Sequence, residues 1–198
     1  LPGVFDFVII TSNFLDGYLS DRNINFCHLP HPYDYAKSCE APTPAERKIT
    51  VFGISCGLWS RKNVSLLAQV FADSFGDNPN YILRIHTRFD TKLADFTTEQ
   101  KQLADLLDKH ENIELESRSL SREEYILWMS SLDLYCFISS GEGYSITPRE
   151  ALHLGIPTIL LDAHVHCEFS HLPGVIKVAE CGKKPSIPAQ HRSHLSQG

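Results

Sequence analysis

Apolar positions in this chain fall into short continuous runs separated by stretches of helical spacing. The runs at residues 49–52, 81–86, 113–115, 134–138, 157–161 and 175–178 have strand length. Between them, residues 64–75, 99–109, 122–131 and 148–154 place apolar side chains three and four positions apart, the spacing of one helix face. Parallel strands need connections of a dozen or more residues, and helices between strands supply them. The alternation therefore predicts an α/β fold with a doubly wound parallel sheet, covered on both faces. Such sheets bind ligands outside the carboxyl ends of their strands, which makes the loops after Phe52, His86, Ile138 and Leu161 the expected working edge. Ahead of this series the pattern predicts a strand over 4–10, a short helix over 13–19 and a strand over 24–28.

Residues 29–47 break the pattern. Pro30, Pro32, Pro42 and Pro44 stand there with little apolar periodicity, the composition of a connection between two compact units, although an ordinary long surface loop has the same composition. The expected division is the end of one domain at 1–29, a linker at 30–48, the α/β domain at 49–182 and a polar tail at 183–198. A length of 198 residues suits one full core with extra pieces, and 42% hydrophobic with 21% charged residues is a globular composition. A net charge of -6 argues against nucleic acid as a partner, since phosphate-backbone binding needs an excess of Lys and Arg. The six cysteines, at 27, 39, 56, 136, 167 and 181, form no CxxC pair and are expected to be reduced packing thiols in a cytoplasmic setting. No stretch approaches the roughly 20 apolar residues that span a bilayer, so no transmembrane segment is expected. The chain opens on Leu1 rather than Met, as if cut from a longer protein, whose membrane association is left open.

Chemistry concentrates after the 134–138 strand, in Ser139-Ser-Gly141-Glu142-Gly143-Tyr144-Ser145-Ile-Thr147-Pro148-Arg-Glu150. Two glycines allow a ligand close to the backbone, and the start of the next helix offers free N–H groups and a positive dipole end to an anion. Thr147 as N-cap, Pro148 at the first helical position and Glu150 at the third make a capping box, which explains Glu150 without any ligand. Glu142 has no such duty, although a solvated loop carboxylate is common.

The run from Glu142 through Glu150 to Ala-Leu-His-Leu-Gly-Ile-Pro-Thr-Ile resembles the E-x7-E segment of the retaining group 1 glycosyltransferases of GT-B fold. The loop Gly53-Ile-Ser55-Cys-Gly-Leu-Trp-Ser-Arg61-Lys62-Asn63 resembles that family's first loop after the interdomain linker, and residues 7–32 its amino-terminal domain leading into the hinge. The resemblance implies a Rossmann-like, carboxyl-terminal GT-B half that binds a nucleotide-diphosphate sugar and moves the sugar to an acceptor hydroxyl with retention of configuration. It places Glu150 on the donor's ribose, Glu142 beside the transferred sugar, and Lys62 with Arg61 on the departing diphosphate. The amides of Gly143, Tyr144 and Ser145 hold phosphates or sugar hydroxyls, with Gly141 and Ser55 also on the donor side. Residues 162–169 resemble the family's His-x-Glu loop, which puts His166 at the sugar or the interdomain cleft. The implied enzyme uses no metal and no cofactor beyond its donor substrate; the acceptor, be it saccharide, lipid-linked or protein, is not specified.

This chain departs from the family where Gly53-Ile54-Ser55 stands in place of a glycine followed closely by Arg, and where Ile85-His86-Thr87-Arg88 stands in place of glycines. His164, His166, Cys167 and His171 offer a zinc-like set of donors, but without a standard structural spacing. A glycoside hydrolase also uses two carboxylates, and a nucleotide-sugar-binding module that has lost transfer would keep the same fold.

Overall fold

The computed structural model describes residues 6–31, 48–88 and 98–179. Residues 32–47 of the expected linker and all of the 183–198 tail lie outside that set. Strands β1 (Val8–Ile10) and β2 (Phe26–His28) pair in parallel as a separate two-stranded sheet, with α1 (Asp16–Ser20) between them. The main unit runs β3 (Thr50–Ser55), α2 (Val64–Phe75), β4 (Tyr81–Thr87), α3 (Thr98–Lys109), β5 (Ile113–Ser117), α4 (Arg122–Ser130), β6 (Leu134–Phe137), α5 (Ile146–His153), β7 (Thr158–Leu161) and β8 (Val175–Val178).

The six strands of the main sheet are all parallel, in the order β5-β4-β3-β6-β7-β8. Counted from β3 as the first, this is the 3-2-1-4-5-6 order of doubly wound dinucleotide-binding sheets. The chain moves outward from β3 to β5, then crosses back to start its second half at β6. Phe52 of β3 consequently faces Leu83 of β4 on one side and Leu134 of β6 on the other. Loops leaving β3 and β6 diverge at this switch point and open a crevice at the carboxyl edge.

Burial explains the stability of the arrangement. Val64, Ala68, Phe71 and Ala72 recur on one face of α2 and pack on the sheet. Phe52, Phe71, Phe75 and Tyr81 form a ring cluster in which Phe75 and Tyr81 stack at 4.3 Å. Each large side chain buried in this way contributes about 1.5–3 kcal/mol. Ser121 and Glu124 fix the start of α4 with a reciprocal capping box: the Glu124 amide donates to Ser121 Oγ at 3.2 Å, and the Ser121 amide donates to Glu124 Oε2 at 2.7 Å.

Three expectations change. The first strand of the main sheet runs on through Gly53 to Ser55; a Cβ at Gly53 would overlap the Leu132 side chain, so glycine serves the close packing of the α4–β6 connection rather than a turn. The helix expected over 13–19 is a 3-10 turn at Asn13–Leu15 followed by the five-residue α1. Helix α5 starts at Ile146, two residues before Pro148, with Ser145 as its N-cap and no side-chain cap. The first small sheet meets the main unit where the Asn13 amide donates to Glu168 Oε1 at 2.6 Å, and Phe14 lies edge-on to His164.

Candidate functional site

The switch-point crevice is a cleft of about 630 Å³. Its walls come from the ends of β3 and β4 and from the loops that follow β3, β5 and β6, with His31 at the rim. The loop after β5 was not among those expected from sequence, whereas the loop after β7 does not line the cleft. In a chain of net charge -6, the lining has three fixed cations, Lys62, Arg88 and Arg122, against two carboxylates, Glu142 and Glu150. The cleft is thus locally positive.

Glu142 sits where two loops are tied together. The Ser140 amide donates to Arg61 O at 2.8 Å, and Asn63 Nδ2 donates to Ile138 O at 2.8 Å. This brings Lys62 Nζ to 2.5 Å, Arg61 Nη1 to 2.8 Å and Ser139 Oγ to 2.5 Å from one and the same oxygen, Glu142 Oε1. Lys62 and Glu142 are nearly enclosed, with side chains 9% and 10% exposed, whereas Arg61 is 46% exposed. Lys62 is therefore no solvated surface cation: its ammonium also lies over the Phe137 ring at 4.9 Å. Two cations meet one carboxylate here, which leaves one unit of positive charge in excess. Burial pushes the neighbouring Cys56 thiol up to about 12, so it adds no compensating anion. Gly141 contributes its carbonyl, which accepts from Arg61 Nη1 at 2.5 Å. A Cβ at Gly141 or Gly143 would meet no atom within 4 Å, so the space over this turn is open.

Glu150 does not cap its helix. Its Oε1 accepts from Arg122 Nη1 at 2.6 Å and its Oε2 from Tyr125 Oη at 3.2 Å. The capping explanation fails because α5 begins earlier than Pro148, which puts Glu150 in the helix's second turn and its carboxylate in the cleft wall. Arg122 and Tyr125 lie 28 and 25 residues away in sequence, so no local pattern announces them.

Ser145 is both a cleft residue and a strained one, with φ 60. His166, which the resemblance puts at the sugar or the interdomain cleft, stands behind Ser145, fully buried and outside the lining. Its Nδ1 is 2.9 Å from the Leu161 carbonyl and its Nε2 2.8 Å from Ser145 Oγ. A carbonyl only accepts, so in the neutral ring Nδ1 carries the proton and Ser145 Oγ–H donates to Nε2. Burial holds this imidazole below its ordinary value, against the opposing pull of the Leu161 carbonyl. With both ring nitrogens engaged, His166 has no lone pair left for a metal. Among the described residues no group of three or more His, Cys, Asp and Glu is placed to hold one.

Ser55 follows the same logic. His86 Nε2 lies 3.0 Å from the Arg118 carbonyl, which assigns the proton there, so Ser55 Oγ–H donates to His86 Nδ1 at 2.8 Å. The Ser55 amide is also used, donating to Tyr135 Oη at 3.1 Å. Ser55 therefore offers the cleft oxygen lone pairs and no donor. Tyr144 packs against His31 and the Arg149 guanidinium, and its carbonyl accepts from Arg149 Nε at 3.0 Å. Sequence reasoning included Ser139 in the segment after the 134–138 strand but missed Arg122, Tyr125 and the 119–121 loop. The Ser121-x-x-Glu124 pattern after a strand was the available signal, since it marks a helix start at the carboxyl edge of the sheet.

No protein-family model matches the chain. A protein of Sulfolobus islandicus filamentous virus (isolate Iceland/Hveragerdi), provisionally named glycosyltransferase 63, is 32% identical over 84 residues, which are 42% of this chain and 31% of the viral protein. Among solved structures, a glycosyltransferase from Rickettsia africae ESF-5 matches with a TM-score of 0.67 at 15% identity, over 87% of this chain and 48% of that one. Sucrose-phosphate synthase from Thermosynechococcus elongatus matches at 0.64 and 19%, over 88% and 45%. The pneumococcal O-GlcNAc transferase GtfA in complex with UDP and GlcNAc matches at 0.57 and 17%, over 80% and 30%. The fold is the Rossmann-like α/β fold of GT-B glycosyltransferases. The chain spans less than half the length of each of these relatives.

Proposed function

We propose that the cleft binds a nucleotide-diphosphate sugar and that the chain is the donor-binding half of a retaining glycosyltransferase. The observation that carries this reading is the positive lining of the switch-point crevice, where Lys62, Arg88 and Arg122 face two carboxylates and Arg61, itself outside the lining, adds a second cation at Glu142, in a chain whose net charge is -6. A neutral glycoside gives no reason for such a charge, whereas a diphosphate does. Both carboxylates are engaged by cations, an arrangement that does not suit the general acid of a glycoside hydrolase.

In this reading the donor's ribose hydroxyls donate to Glu150, and its diphosphate meets Lys62, Arg61 and the amides of Gly143, Tyr144 and Ser145. Phosphate and Glu142 compete for the same donors, so Glu142 leaves Lys62 as the diphosphate arrives and turns to the sugar. As the sugar–phosphate bond breaks, the cations stabilise the negative charge growing on the leaving diphosphate, and the acceptor hydroxyl attacks from the face the diphosphate leaves, passing its proton to the departing diphosphate oxygen as the new sugar–oxygen bond forms. Positioning and preorganised charge account for the rate. Residues 1–29 then end a preceding, acceptor-binding domain, 30–48 are the hinge, and 49–182 are the donor unit.

Thermal unfolding tests this. A ligand at a hundred times its Kd stabilises the folded state by about 2.7 kcal/mol, which raises the melting temperature of a protein this size by roughly 5–10 °C. At least one uridine, guanosine or adenosine diphosphate sugar is expected to give such a rise, Lys62→Met to remove most of it, and neutral glycosides to give none. Stabilisation by neutral glycosides alone would contradict the proposal in favour of a hydrolase.

A further inference from the structure

The grip on Glu150 comes from residues to which the proposed function gives no role. Arg122 and Tyr125 both belong to the first turns of α4, whose start is locked by the Ser121–Glu124 capping box. One helix thus holds each oxygen of the carboxylate through a separate donor. Burial raises the Tyr125 phenol well above its ordinary value, so it stays a donor at any working pH. Its ring is wedged between His86 and Trp128, with centroids at 6.1 and 6.4 Å, and has little room to swing away.

A carboxylate has about four acceptor positions. Arg122 and Tyr125 take one on each oxygen, and the carboxylate faces the cleft with the remainder. Two acceptors at fixed separation suit two hydroxyls on adjacent carbons. The Arg122 charge also balances a carboxylate that is 10% exposed and would be costly to leave there alone. A ligand without those hydroxyls leaves desolvated acceptors unfilled, a stronger ground for rejection than a missing apolar contact.

We infer that Arg122 and Tyr125 are positioning residues that set Glu150 as a paired acceptor for vicinal hydroxyls and so make the cleft discriminate ribonucleotides from deoxyribonucleotides. This rests on the assignment of Glu150 to the donor's ribose. The test is calorimetric titration of the full chain, and of Arg122→Met and Tyr125→Phe, with uridine, guanosine and adenosine diphosphates and their 2′,3′-dideoxy analogues. The unsubstituted chain is expected to bind one ribonucleotide at least about tenfold more tightly than its dideoxy analogue, as two hydrogen bonds to a charged group allow. Each variant is expected to narrow that gap about threefold or more; Arg122→Met also weakens both nucleotides by a common factor, because it removes one of the three fixed cations of the cleft. The thermal unfolding transition of each variant establishes that it is folded before its gap is read. An unchanged gap in both variants, or equal losses for both nucleotides, overturns the positioning role while leaving the donor reading intact. A chain with no ribo-over-dideoxy gap overturns the ribose assignment itself, and the positioning role with it.

Discussion

Glu142 and Glu150 are eight residues apart, yet they answer to different physics. Glu150 is held in place by α4 and presents acceptors to the cleft, whereas Glu142 fills a set of donors on one oxygen that would otherwise attract an anion. The spacing of the two was legible in the sequence, but their charged and phenolic partners were not, because Arg61, Lys62, Arg122 and Tyr125 come from loops and helices 25 to 81 positions away. Ser145 is a third instructive residue. It adopts φ 60, a conformation costly to any side chain with a Cβ, and its Oγ lies 2.8 Å from Nε2 of buried His166. Ser145→Ala is expected to lose about 1–3 kcal/mol by leaving that nitrogen without a donor. Ser145→Gly loses the same bond but relieves the backbone, so it is expected to be the more stable of the two by about 1 kcal/mol. Urea midpoints decide the matter: an alanine variant as stable as the glycine variant would mean that the left-handed backbone carries no strain worth relieving.

At the scale of elements, the alternation of apolar runs with helical spacing located the six strands and four α-helices of the main unit among the described residues, because both faces of the sheet are buried and each helix has one buried side; it did not locate the short 3-10 turns at Ser60–Lys62 and His164–Glu168. Helix α2 and strand β8 begin and end where the periodicity places them. The failures occur where a single residue had two explanations. Gly53 could end a strand or admit a close neighbour, and Leu132 decides for the second. Thr147-Pro148 could open a helix, but the left-handed Ser145 lets α5 start sooner, and that moved Glu150 out of the capping position. A capping pattern does identify a helix start in this chain at Ser121, and there it also marks a wall of the cleft.

For the whole molecule, strand order was inferable only as a class. Which strands adjoin depends on the crossover from β5 back to β6, and no local pattern encodes that. The fold's burial of imidazoles has a global consequence. Burial lowers both His86 and His166, so the folded chain resists protons that the unfolded chain binds near pH 6.5. Their contribution to stability is complete above that pH and is lost as pH falls through it toward the lowered folded values. Glu124 and Asp162, whose carboxyls are lowered by the Ser121 amide and the Ser170 hydroxyl, act only below about 4.5. The urea midpoint is therefore expected to drop between pH 7.5 and 5.5, and less so in a His86→Gln, His166→Gln double variant; a midpoint that holds or rises over that interval would refute this account of the two rings.

The central claim is that the donors now closed on Glu142 form the seat of a donor's diphosphate. Calorimetric titration of the chain and of Glu142→Gln with uridine, guanosine and adenosine diphosphates tests it most directly. Removing the competing charge is expected to tighten the diphosphate that binds by about three- to tenfold, a change of roughly 0.7–1.4 kcal/mol. Absence of binding by any of the three, or weaker binding to Glu142→Gln than to the unsubstituted chain, would contradict the claim.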